Sequence, residues 1–192
     1  MTIDDRHLKR LTDDDIATAR RLCDEHVGAG LYTDDFLRSI LDDPEHYFYL
    51  LVSDGAVIGY IYYRIMAAAG IVRMPGFELD IIRDLCRPDD PIAVFTSIGL
   101  NEAHRGTGLT DALLAYLKTR MIESHRVTLI LAPAWKKGGL IPAQSLMLRN
   151  GYQAYCDLIR PWASIESLVC PYCRQERCQC NAVVYYTVTA NA

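Results

Sequence analysis

One passage near the middle of the chain restricts the fold more than any other. Ile92–Leu100 (Ile-Ala-Val-Phe-Thr-Ser-Ile-Gly-Leu) is almost unbroken apolar and β-branched sequence, the pattern of a strand covered on both faces. His104-Arg105-Gly106-Thr107-Gly108 follows, and from Leu109 onward Leu113, Leu114, Leu117 and Met121 recur at helical spacing. This order places a helix N-terminus beside the end of a buried strand. Such a terminus carries unpaired N–H groups and about half a positive charge, which makes it an anion site. Gly106 and Gly108 let the backbone come close to a phosphate, while Arg105 and Thr110 offer side-chain donors. The passage is not a dinucleotide fingerprint, because position 111 is Asp where a third glycine belongs, and no Gly-Lys-Ser/Thr of a P-loop is present. By its residues alone it is either an anion cradle or a plain strand-to-helix turn with an exposed arginine.

The rest of the chain frames this passage. A length of 192 residues suits one domain, 1–192. His7–Leu11 reads as a short strand, and Thr12 with Asp15 comes close to a capping box. Ile16, Ala19, Leu22, Cys23 and His26 then keep helical spacing until Gly28-Ala29-Gly30 stops them. A second helix is expected from Thr33, ending at Pro44. His46–Ser53 and Val57–Met66, joined by Asp54-Gly55, read as an antiparallel hairpin. Ala67–Pro91 shows no clear period beyond a turn at Pro75-Gly76. Strands are predicted again over Val127–Leu131, Tyr152–Ile159 and Val183–Val188, with a short helix over Pro142–Arg149. The sum is an α+β domain, a mixed and mostly antiparallel sheet flanked by helices.

Composition narrows the function classes. With 51% hydrophobic and 23% charged residues the chain is globular, and a net charge of −4 argues against nucleic acid as a partner. No apolar run reaches the length of a membrane span, and Met1-Thr2-Ile3-Asp4-Asp5 lacks the basic-then-apolar pattern of a signal peptide. The expectation is therefore a cytoplasmic protein without a membrane partner.

The whole stretch Ile98–Leu114 resembles the signature of the GNAT superfamily of N-acyltransferases: an apolar strand end, a short linker, Arg/Gln-x-x-Gly-x-Gly/Ala, then an apolar helix. Arg105 and Gly108 match its first fixed positions, and Thr110 replaces the small residue at the last. The order of elements over most of 1–160 is similar too. The resemblance implies an acyl-coenzyme A, most simply acetyl-CoA, as co-substrate. Its pyrophosphate would rest on the amides of Arg105, Gly106, Thr107, Gly108, Leu109 and Thr110, and its pantetheine arm would pair with the backbone of Ile98, Gly99 and Leu100. The strand Val127–Leu131 would splay away to open a slot for the thioester. The acceptor would be an amine of a small molecule or peptide, and a homodimer would be ordinary for the family.

Catalytic residues are harder to place. The family often uses a carboxylate near the central strand as base, and Asp90 is the nearest candidate, followed by Asp89. Pro88-Asp89-Asp90-Pro91 is equally a solvated turn by composition. The family's thiolate-protonating tyrosine often stands four positions before the glycine that ends the short helix, here Gly151, and that position is Met147. A non-catalytic acyl-CoA-binding or regulatory module therefore stays open beside an enzyme.

Four of the seven cysteines, Cys170, Cys173, Cys178 and Cys180, crowd into an insertion over 165–182 between the last two strands. Four thiolates suit a closed tetrahedral Zn²⁺ site, which is structural rather than catalytic. A redox pair, an iron–sulfur cluster and four free thiols are the alternatives. A zinc loop could wall the acceptor pocket or serve as a docking surface for a protein partner. Cys23, Cys86 and Cys156 read as core or half-buried residues. Lys136 and Lys137 in Trp135–Gly139 are either contacts for the coenzyme's 3′-phosphate or a solvated loop, and His104 is as open. Tyr47, Tyr49, Tyr60 and Tyr62 either line an acceptor pocket or pack within strands.

Overall fold

The computed structural model describes residues 3–189, so Met1, Thr2 and 190–192 of the predicted domain lie outside the described residues. The chain runs β1 (Leu8–Arg10), α1 (Ile16–Val27), α2 (Asp34–Ser39), β2 (His46–Ser53), β3 (Ala56–Ala67), β4 (Pro91–Leu100), α3 (Leu109–His125), β5 (Leu129–Lys136), α4 (Gln144–Arg149), β6 (Gln153–Leu158) and β7 (Asn181–Val188). Among the described residues the strands form one seven-stranded sheet in the order β1-β2-β3-β4-β5-β7-β6. Every neighbouring pair is antiparallel except β4 and β5, which are parallel. A parallel pair needs a crossover, and α3 provides it.

The alternation of strand residues divides the core between the two faces. Ile61, Tyr63, Ala93, Phe95 and Ile130 pack with Leu113, Leu114 and Leu117 of α3. On the other face Phe48, Leu50, Tyr60 and Tyr62 receive Leu22 and Cys23 of α1 and Leu37 of α2. The expected capping box forms: Thr12 Oγ1 donates to Asp15 at 2.6 Å, and Lys9 Nζ reaches the same carboxylate at 2.6 Å. The helix predicted to run to Pro44 is only α2, opened by Thr33 Oγ1 accepting from the Phe36 N–H at 3.2 Å.

The unreadable stretch after β3 is made of short 3₁₀ turns, Ala68–Arg73 and Leu79–Ile81. Such turns leave no 3.6-residue period to detect. They nevertheless pack Ile71, Met74, Phe77 and Ile82 against Ile92, Val94 and Leu131. Ile71→Ala is therefore expected to lower stability by about 2–5 kcal/mol, while Val72→Ala next to it, at 54% exposed, changes it little. Urea unfolding of the two variants checks this.

Candidate functional site

The site begins where two parallel strands stop pairing. β4 and β5 are in register only at Ile92–Leu129, Ala93–Ile130 and Val94–Leu131. Beyond Val94 both chains continue as strands but no longer meet. Two local features account for the parting. Across from β3, Tyr62 faces Ser97 and Tyr63 faces Phe95, so Thr96 is an extra residue in β4, a bulge that bends the strand. On β5, Pro133 has no N–H for a ladder, and a proline inside a sheet is tolerated where a neighbour has turned away. The same proline explains why the sequence suggests a strand ending at Leu131, whereas β5 continues through Trp135 to Lys136.

Two cavities flank the parting. The narrower, about 160 Å³, is lined by His26, Phe95, Thr96, Ser97, Ile98, Leu114, Pro133, Trp135 and Met147. The wider, about 360 Å³, is lined by Tyr32, Phe36, His46, Tyr62, Arg64, Thr96, Pro133, Trp135 and Trp162 among others. Thr96, Pro133 and Trp135 belong to both, so the cavities meet at the bulge.

The glycine-rich loop stands at the outer end of β4. Gly106 and Gly108 have φ of 72° and 80°, and open space surrounds the positions their Cβ atoms would occupy. α3 starts directly after Gly108, so the N–H groups of its first turn, Leu109, Thr110 and Asp111, have no helical acceptor. Arg105 is exposed, but its side chain folds back over the end of β4. Its Nε donates to the Leu100 carbonyl at 3.1 Å, and a terminal nitrogen lies 3.3 Å from His26 Nδ1. Arginine offers only donors, so His26 Nδ1 accepts and the neutral ring carries its proton on Nε2. That atom is buried without a partner, and His26 lines the narrow cavity. Burial, then the Arg105 charge, lowers the His26 pKa and keeps the ring neutral. The loop arginine thus fixes an N–H donor on the cleft wall. Gly99 makes room for the ring: a Cβ there would come within 2.2 Å of His26 Cδ2. No spacing in the sequence links His26 to this loop.

In the wider cavity His46 Nδ1 sits 2.7 Å from the Tyr62 hydroxyl, with Asp43 3.7 Å from its Nε2. Burial, followed by the charge of Arg64, lowers the His46 pKa. Of the four tyrosines named from the sequence, Tyr62 lines this cavity. Tyr47 and Tyr49 stack with Tyr63 under the Arg10 guanidinium, and Tyr60 stacks on Phe48 in the core.

Cys170, Cys173, Cys178 and Cys180 converge, their Sγ atoms all within 4.8 Å of one another. Cys170 and Cys180 are 3.8 Å apart, and four sulfurs about 2.3 Å from a central ion would be about 3.8 Å from each other. The Gln179 N–H points at Cys173 Sγ at 3.5 Å. This knuckle is docked onto the cleft. Val169 N–H donates to the Ala29 carbonyl at 2.8 Å and Ser167 Oγ to the Gly30 carbonyl at 2.7 Å. Gly28 and Gly30, read from the sequence as a helix stop, also admit this segment: a Cβ on Gly30 would lie 2.0 Å from the Ser167 carbonyl oxygen. Tyr172 of the knuckle lines the narrow cavity, and its ring packs 5.7 Å from Trp135.

Other predicted residues fall elsewhere. Asp90 caps its own turn, accepting from the Arg87 N–H at 2.7 Å while its carbonyl accepts from Ala68 N–H at 2.9 Å. Six residues of extended chain, about 20 Å, separate it from Thr96. Asp90 and the exposed Asp89 therefore stay outside both cavities. Met147 does line the narrow cavity. Lys136 and Lys137 turn to the knuckle side, Lys136 Nζ pairing with Asp157 at 2.6 Å and Lys137 Nζ with the Tyr172 carbonyl. His104 sits beside Thr107, whose hydroxyl donates to the His104 carbonyl at 2.8 Å.

A split parallel pair, a glycine-rich helix start at its mouth and two cavities joined at the bulge make up the candidate site. Residues 14–138 match the Acetyltransferase (GNAT) family, more than half of the chain, and the chain belongs to that family. No curated protein matches the sequence. Solved structures share the fold. NAA60 of Arabidopsis thaliana in complex with a bisubstrate analogue aligns at TM-score 0.69 and 14% identity, covering 96% of this chain and 98% of that one. The ribosomal-protein-S18-alanine N-acetyltransferase of Escherichia coli aligns at 0.61 and 11%, covering 96% and 97%. GphF, a GNAT-like decarboxylase in complex with isobutyryl-CoA, aligns at 0.65 and 14%, covering 94% and 98%. Among the described residues no helix is long and apolar enough to cross a membrane.

Gly99 and Gly106 separate two uses of glycine. Gly99→Ala is expected to displace His26 and lower stability by about 1–3 kcal/mol through overpacking. Gly106→Ala meets no atom and loses only about 1 kcal/mol to its positive φ. Chemical denaturation, with the His26 ring followed by NMR, distinguishes the two.

Proposed function

We propose that the protein transfers an acyl group, most simply acetyl, from coenzyme A to the amine of a small molecule or peptide. The observation that carries this reading is the meeting of the two cavities at Thr96, Pro133 and Trp135. A transfer between two substrates needs two sites that share one reacting point. The coenzyme fits the narrow cavity, its pyrophosphate on the amides from Gly106 to Thr110 and its pantetheine along the edge of Ile98–Leu100 that β5 has left. The wider cavity then takes the amine.

The reaction forms a C–N bond and breaks a C–S bond. The amine nitrogen attacks the thioester carbon, the electron pair of the broken bond leaves on the coenzyme sulfur, and the amine gives up a proton. His26 Nε2–H is the donor placed to hydrogen-bond a carbonyl in the cleft. Tyr62 stands across from Ser97, beside the reacting point, and His46, 2.7 Å from its hydroxyl, is the neutral group able to take the proton through it. The pKa of His46 lies below the ordinary 6.5, so it is a free base at pH 7 and is lost as a base when pH falls through that lowered value. Asp90 receives no role here, because its side chain is occupied and distant.

The cysteine knuckle is read as a structural zinc site. Four thiolates would complete the shell and leave no position for substrate. Tyr172 and Trp135 make it part of the cleft wall.

Acetyl-CoA at about 100 times its Kd is expected to stabilise the protein by about 2.7 kcal/mol, a rise in Tm of about 5–10 °C, and Gly108→Ala to diminish it. No shift at millimolar coenzyme contradicts the reading. Release of free thiol against a panel of amines then separates an enzyme from a non-catalytic binding module. In the enzyme, His46→Gln lowers kcat/KM by about 10²-fold and removes the acidic limb of the pH profile. Metal analysis should find one zinc per chain. Chelation should change the tryptophan fluorescence, because Trp135 and Trp162 lie 4.2 Å apart beside the knuckle.

A further inference from the structure

The wide cavity has a chemistry of its own, and we infer from it the class of the acceptor: an amine that also carries a carboxylate on an apolar or aromatic body, of which a large apolar α-amino acid is the simplest member. This rests on the transferase reading above for the word acceptor, but the site itself is argued from the cavity alone.

Two arginines line the cavity, and among the described residues no aspartate or glutamate does. Arg64 comes from the middle of β3 and is buried, its side chain 10% exposed. One terminal nitrogen donates to Glu45 at 3.0 Å and the other meets the Met74 sulfur at 3.2 Å. Its Nε is buried with no partner at all. An arginine N–H left unpaired inside a protein is costly, and thioether sulfur is a weak acceptor, so this guanidinium is under-satisfied. Arg73 joins from the 3₁₀ turn after β3, giving Glu45 two more bonds at 2.7 and 2.8 Å. Two cations thus share the Glu45 carboxylate, Asp43 stands against His46 Nε2 at 3.7 Å, and the Arg64 Nε is left to be satisfied from the cavity. A carboxylate accepts from guanidinium in the geometry that suits both.

The other walls are apolar. Tyr32 stacks on Phe36 with centroids 5.4 Å apart, and both meet Tyr62 edge-on. Trp162 closes the opposite side against Trp135, with Ile165 and Phe77 beside it. A volume of about 360 Å³ is at the small end of ligand pockets, room for a small molecule. The distances suit one molecule reaching both ends. Arg64 pairs across the sheet with Val94, two residues from Thr96, so the arginine lies about 7 Å along the sheet from the reacting point. The long arginine side chain has to cover most of that gap, because only one carbon stands between the amine and the carboxylate of an α-amino acid. A polyamine finds no free carboxylate among the described lining residues: Glu45, behind the wall, is already held by three arginine contacts, and Asp43 faces His46.

Calorimetric titration of the full chain, with and without coenzyme A, tests the inference using L-phenylalanine, phenethylamine and spermidine. The first two differ only in the carboxylate. L-Phenylalanine is expected to bind at least tenfold more tightly than phenethylamine, and spermidine not to bind. Arg73→Gln, at a position 53% exposed and so tolerant of change, should bring the phenylalanine affinity down to the phenethylamine level. Equal affinities, tighter binding of phenethylamine or spermidine, or no binding of phenylalanine at millimolar concentration overturns the inference. Acetyl-CoA stabilisation is read separately. If it fails while phenylalanine binds in an Arg73-dependent way, the carboxylate site stands and the transferase reading falls.

Discussion

β4 and β5 pair for three residues and then part, and the rest of the site depends on that parting. A sheet in which both strands stayed in register would bury their backbone groups in each other and leave no space between α3 and the opposite face. The bulge at Thr96 bends one strand and Pro133 withholds a donor from the other. What opens is a slot whose floor is strand backbone. Its two sides receive different residues: His26 at the end of α1, Leu114 of α3 and Met147 of α4 line the narrow cavity, while Phe36 of α2 and the turns after β3 line the wide one.

Elements far apart in sequence are held to this slot by a few small residues. Gly99 leaves the space that His26 fills, and Arg105 then orients that ring. Gly28 and Gly30 let the cysteine knuckle close on the end of α1, which brings Tyr172 to the cleft. The insertion is therefore joined to the site through backbone contacts rather than hanging from the sheet edge.

The strand–turn–helix at Ile92–Met121 was legible because each part obeys its own period and the glycines punctuate it. The hairpin and the cysteine cluster were legible for similar local reasons. What the sequence hides is geometry that only tertiary contact creates. Arg105 looks like a phosphate contact beside two glycines, yet its side chain is spent on Leu100 and His26. Asp90 is near the strand in sequence but at its far end from the slot. Pro133 shortens the apparent strand while being the residue that helps open it. Arg64 sits among β-branched and aromatic neighbours with no hint that its Nε is unpaired, and the 3₁₀ turns that bring Arg73 beside it carry no periodicity.

The fold does not by itself fix the reaction, since a decarboxylase shares it with N-acetyltransferases. The central claim is that the two cavities take two substrates that meet at Thr96. The most direct measurement is the affinity of a conjugate in which coenzyme A is joined through a short acetyl bridge to the acceptor amine, compared with coenzyme A and with the amine alone. If the cavities are joined substrate sites, the conjugate binds at least a hundredfold more tightly than coenzyme A, since the second contact is made within one molecule. Affinity no better than that of coenzyme A contradicts the account.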